Sequence, residues 1–254
     1  MTSDPVLAAV SFAMALGFCA VHLFVGHLRF LDAVPRSRWL SFAGGVAAGY
    51  VFLHIMPEIG AHAATFERAT GLAAPLAEAV VYTLALAGMI LFYGMERAIV
   101  TSRDSRREEE GRDRPEKAMF RLHIAASGLL IFVIAYLLNH REDDSLAGLA
   151  LYFVAMMLHF VTADYGVRRH HVELYDRRGR WALALATLAG WATGVVLTLA
   201  PLAIGGLFAF VGGAIVLVVL KEELPEERQS YFLPFFGGAA LYAALALGEL
   251  HMAT

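Results

Sequence analysis

The chain has 254 residues, 59% of them hydrophobic and 17% charged, with a formal net charge of -3. Soluble domains carry about a quarter charged residues, and a spanning helix needs ~20 mainly apolar ones. Eight such apolar stretches with short connections use up nearly the whole length, which excludes a sizeable soluble domain. The single cysteine, Cys19, excludes an intrachain disulfide and a thiolate metal cluster.

Eight membrane-spanning α-helices are predicted, at residues 6–28, 39–59, 76–95, 119–138, 146–167, 181–199, 202–220 and 231–247. The fold class is an all-α integral membrane protein, with residues 1–254 as a single membrane domain. The opening residues carry Asp4 and no basic side chain, so the first stretch is expected to be a retained span rather than a cleaved signal peptide. Around Pro201 the sixth span gives way to the seventh. Together they hold ~40 apolar residues, about twice one bilayer crossing. Residues 101–117 are charged, mixed in sign and poor in apolar residues. They are expected to form a flexible cytoplasmic loop.

Lysine and arginine set the orientation through the positive-inside bias. Three follow span one, eight follow span three, five follow span five and two follow span seven. Of the chain's 20, only Arg68 and Arg141 fall on the other side. Both termini are therefore expected outside.

Spans two and seven share a pattern. Phe42-Ala43-Gly44-Gly45 leads to His54-Ile55-Met56-Pro57-Glu58, and Phe210-Val211-Gly212-Gly213 leads to Glu222-Glu223-Leu224-Pro225-Glu226. Phe42, Gly44, Gly45, Pro57 and Glu58 all recur at a shift of 168 residues. The charge bias makes span two run outward and span seven inward. This is the inverted repeat of secondary transporters, relating the first three spans to the last three, with ions bound near the midplane. Paired glycines suit close helix packing. Pro57 and Pro225 free backbone carbonyls.

Polar side chains inside a span are costly, so each is a functional candidate. The deep ones are His22, His27, His54, His123, His159 and Asp164. Glu58, Glu78, Glu96, Glu222, Glu223, Glu249 and His251 lie nearer the ends, where carboxylates such as Glu78, Glu96 and Glu249 read as solvated termini. His22 and His27 read as hydrogen-bonding partners of neighbouring helices. His54 and Glu58, four apart, share a helix face, as do His123 and Ser127. His159 and Asp164 lie roughly 140° apart around an ideal helix, so one ion reaches both only if the helix is distorted. Imidazole with carboxylate suits zinc, iron or manganese.

With these residues in place the chain resembles the ZIP family of divalent-metal transporters. It is similar in its eight spans, its outside termini and its longest cytoplasmic loop after span three. Residues 42–58 look like that family's second span, with a His-x-x-Pro-Glu end, and residues 208–226 look like its seventh. The family's fourth span carries His-Asn-x-x-Asp/Glu-Gly; here His123-Ile124-Ala125-Ala126-Ser127-Gly128 loses the asparagine and the acid. The family's fifth carries His-Glu-x-Pro-His-Glu; here residues 159–164 keep His159 and end in Asp164, losing the first glutamate, the proline and the second histidine. The resemblance implies one lean metal site of His123, His159, Asp164 and Ser127 in place of a two-metal centre.

The leading expectation is a secondary transporter of a divalent metal cation by alternating access, with zinc foremost as substrate. His54 and Glu58 would line the outer pathway or gate, and Glu222 and Glu226 the inner one. The alternatives are a ZIP-like sensor or partner subunit that does not transport, and an electron carrier holding haem between two membrane histidines. No phosphate-binding glycine loop is present, so ATP-driven pumping by this chain is not expected. No enzymatic activity and no organic cofactor are expected. The expected partners are membrane lipid and the metal ion, with no nucleic acid and with a homodimer left open. The expected location is a plasma or bacterial inner membrane, as a multi-pass protein.

Overall fold

The computed structural model describes residues 5–28, 38–110, 117–140, 146–223 and 231–253. All regular structure among them is helical. Helix α1 covers Pro5–Phe24 and closes in a 3-10 turn, Val25–His27. Helix α2 (Arg38–Tyr50) passes through a π turn, Val51–Ile55, into α3 (Met56–Thr70). Pro57 explains the π turn. It has no N–H to donate, and its ring crowds the carbonyl one turn earlier, so the ladder re-registers ahead of it. The joined α2–α3 rod of 33 residues is about 50 Å long. It continues beyond the span expected at 39–59 and ends at Gly71, whose φ of +71° only glycine adopts readily.

Helix α4 (Ala74–Glu110) runs on through the first ten residues of the charged stretch 101–117; residues 111–116 lie outside the described residues. Next come α5 (Lys117–Leu137) and α6 (Leu146–His170). A short turn α7 (Val172–Leu174) and a second π turn, Tyr175–Gly179, lead into α8 (Arg180–Val196). The α8 helix stops before four non-helical residues, and Pro201 then opens α9 (Pro201–Glu223). That is the favoured place for proline, where no N–H partner is needed. The last helix is α10 (Phe232–Ala253).

Among the described residues six helices are long and apolar enough to cross a membrane; α8, with 17 residues, and the apolar stretch Phe232–Gly248 of α10 are shorter. Large apolar side chains point outward along the helices. Leu185 is 67% exposed and Leu233 77%, while His22, Asp164 and Thr187 are buried. That distribution suits hydrocarbon outside and polar groups satisfied within. The chain has the make-up of a multi-pass membrane protein.

Glycines fix the closest approaches. A methyl on Gly45 of α2 would overlap the Phe235 carbonyl of α10, and one on Gly238 of α10 would overlap the Phe42 carbonyl of α2. The pair α4 and α9 repeats this: Gly88 meets the Phe210 carbonyl and Gly213 meets the Ala85 carbonyl. Helix α8 seats Gly190 on the Phe132 carbonyl of α5. Such contact lets backbones dock where a β-carbon would hold them apart.

Candidate functional site

Two cavities lie one beyond the other along α5, α6 and α9. The first, about 570 Å³, has Glu96, His123, Ser127, His159, Asp164 and Lys221 as its polar lining. The second, about 630 Å³, has Tyr50, His54, Glu58, His62, His140 and Tyr152. On each central helix the lining passes from one cavity to the other within about a turn. Ile131 belongs to the first and Ile134 to the second; His159 to the first and Met156 to the second; Val218 to the first and Ile215 to the second. Three residues rise about 4.5 Å, so a thin apolar layer separates the cavities. Ile134, Met156 and Ile215 in that layer are each at most 3% exposed.

The four residues expected to form a lean metal site, His123, Ser127, His159 and Asp164, all line the first cavity. His159 is 1% exposed, and its Nδ1 has no hydrogen-bond partner among the described residues. Asp164 is turned elsewhere. Its Oδ2 lies 2.6 Å from His22 Nδ1 and accepts a hydrogen bond of 2.6 Å from the Tyr175 hydroxyl. An unpaired carboxylate at such depth costs several kcal/mol. Two charge-assisted hydrogen bonds, each about 1.5–3 kcal/mol, offset most of that, which is why Asp164 can be 2% exposed. Burial, and then the Asp164 carboxylate, push the Tyr175 phenol far above its ordinary range, so it remains a donor. His22 is the interhelical partner expected of it; His27 stands in the 3-10 turn with its ring 6.0 Å from Phe24.

Two cavity residues, Glu96 and Lys221, escape the sequence reading as members of the site. Glu96 Oε2 lies 2.6 Å from Lys221 Nζ, and Glu96 Oε1 lies 3.7 Å from His123 Nε2. In sequence, Glu96 follows the apolar run 76–95 and reads as a solvated end. Only the continuation of α4 and its docking on α9 turn it into a cavity wall. His171, which reads as a surface residue of a basic loop, is 6% exposed, with its ring 5.9 Å from that of His123. Burial lowers its pKa to about 4.

In the second cavity, His54 and Glu58 lie together as their spacing implies. The His54 ring stacks on Tyr50 with centroids 5.5 Å apart, and its Nδ1 is 2.9 Å from the Tyr242 hydroxyl of α10. His62 and His140 join them; neither figures among the sequence candidates. The side chain of Glu222, and all of Glu226, lie outside the described residues. Among the described residues no group of three or more His, Cys, Asp or Glu side chains is placed to hold a metal ion. No protein-family profile, curated protein or solved structure matches the chain.

Proposed function

We propose that this chain is a secondary transporter of a divalent metal cation, built on an eight-span inverted repeat with both termini outside. The observation that carries the reading is the pair of polar cavities in line along α5, α6 and α9, separated by an apolar layer. Two polar cavities with an apolar layer between them suit a path that opens to one side at a time, as alternating access about a midplane site requires. By the charge bias the His54 cavity opens outward and the His123 cavity faces the cytoplasm.

The reciprocal glycine contacts support the repeat. Gly45 and Gly213 are equivalent at the 168-residue shift, as are Phe42 and Phe210. Gly45 docks α2 on α10 as Gly213 docks α9 on α4, and the partner glycines Gly238 and Gly88 return to Phe42 and Phe210. In this reading His123 and His159 are the imidazole ligands of the inner cavity, and His54 and Glu58 lie on the outer path. Asp164 acts through its links to His22 and Tyr175, tying the inner cavity to α1 and to the α6–α8 connection.

The test is uptake of zinc, manganese, iron or cadmium into proteoliposomes with and without a proton gradient. Uptake is expected, and His123→Ala with His159→Ala is expected to lower it at least about tenfold, as loss of two ligands should. No uptake of any of the four ions sinks the transport reading. The lack of a three-ligand group among the described residues favours a second reading, a ZIP-like sensor or partner subunit. That reading predicts no flux together with retained effects on cellular metal content.

A further inference from the structure

Span four lacks an acid, and the Oδ2 of the span-five acid, Asp164, is engaged by His22 and Tyr175, yet a further acid reaches the same cavity from another helix. Glu96 of α4 is 15% exposed, and its Oε1 lies 3.7 Å from His123 Nε2. That separation is too long for a hydrogen bond. It exceeds by only a few tenths of an ångström the gap of about 3.4 Å between two ligands of one tetrahedral ion with bonds of about 2.0–2.1 Å. The other oxygen, Oε2, is held at 2.6 Å by the ammonium of Lys221, at the end of α9.

The placement follows from the packing. Gly88 of α4 and Gly213 of α9 sit where those two helices touch backbone to backbone. Glu96 and Lys221 each lie eight residues beyond their glycine, about 12 Å along the axis. The two helices therefore carry the acid and the base in register to the same level of the cavity wall. Lysine serves here as a compact charge on a flexible stem, able to swing aside, unlike a planar guanidinium.

We infer that Glu96 and His123 are two ligands of the cation site, and that Lys221 is a tethered cation occupying the carboxylate until the ion displaces it. This deepens the transport reading and rests on it. An arriving divalent ion meets a positive charge already seated on its carboxylate. The lysine must leave, and like charge a few ångströms away weakens binding. Lys221 thereby lowers affinity and lets the ion escape toward the cytoplasm, since conduction needs binding that is also weak enough to release.

The experiment is a calorimetric titration of the purified full chain in detergent with Zn²⁺, comparing wild type, Lys221→Gln, Glu96→Gln and the double variant. Lys221→Gln is expected to bind zinc at least about tenfold tighter, and Glu96→Gln at least about tenfold weaker. In the Glu96→Gln background the gain from Lys221→Gln is expected to shrink below about threefold, because the two residues act through one contact. Lys221→Met, which keeps the apolar stem, replaces Lys221→Gln if the latter fails to give a single gel-filtration peak. A folded lysine variant that binds zinc no more tightly than wild type overturns the inference. If wild type and both single variants bind equally, the transport reading still stands on His123 and His159 while this inference falls. If none of them binds zinc, both fall.

Discussion

Asp164 and His22, 142 positions apart in the chain, meet at 2.6 Å in the interior of the bundle. The contact fastens α1 to α6, and Tyr175 closes it from the connection to α8. Asp164→Leu is expected to destabilise the protein by on the order of 3–5 kcal/mol, since it strands His22 and Tyr175 without their acceptor. Tyr175→Phe removes one donor and is expected to cost about 1–2 kcal/mol. Thermal unfolding of the detergent-solubilised protein measures both; equal midpoints for Asp164→Leu and wild type would contradict the assigned link.

The glycine contacts give a position-specific expectation. Gly45→Ala and Gly213→Ala drive a methyl into a backbone carbonyl of the facing helix, and each is expected to cost about 2–4 kcal/mol. A β-carbon at Gly237 meets nothing within 4 Å. Gly237→Ala is expected to be neutral or to stabilise by up to about 1 kcal/mol through helix propensity. The same thermal assay ranks the three, and a Gly237→Ala protein as damaged as Gly45→Ala would refute the packing argument.

His171 should make the fold sensitive to mild acid. Its pKa is lowered by burial to about 4 in the folded state, whereas the unfolded chain takes up that proton near 6.5. The unfolded state therefore binds more protons between these values. Stability is full above about pH 6.5 and is lost as pH falls toward 4, by at most about 1.4 kcal/mol per pH unit from this residue. His171→Leu is expected to flatten the stability curve across that window relative to wild type. Parallel curves for the two proteins between pH 6.5 and 4.5 would remove His171 from the account.

The apolar layer between the cavities should act as a barrier to water. Ile134→Ala together with Met156→Ala would join the second cavity to the first through side chains that are now at most 2% exposed. Hydrophobic constrictions block flow by dewetting. The double variant is thus expected to leak protons several-fold faster in proteoliposomes carrying a pH dye. An unchanged leak in a folded double variant would place the barrier elsewhere.

Much of the helical layout is legible in the sequence because bilayer thickness imposes a length and lipid imposes apolarity. Pro57 and Pro201 mark a π turn and a helix start for covalent reasons that no neighbour can override. The outcome at His159 and Asp164 is different. Ideal geometry sets them roughly 140° apart, yet both border one cavity, with Asp164 Oδ2 turned toward α1. Nor does the pattern single out Glu96, whose neighbours in sequence are those of an ordinary helix end. Its role depends on Lys221, 125 positions later.

The sequence alone determined that the chain is helical and apolar and where most of its helices break. These are properties of single segments, governed by backbone chemistry and by transfer from water to lipid. Tertiary packing decided which polar side chains share a cavity, which carboxylate is bound up with a histidine and a tyrosine, and which is held by a lysine. Those outcomes depend on how each helix is turned about its axis, which glycine-to-carbonyl contacts set for α2 with α10, α4 with α9 and α5 with α8.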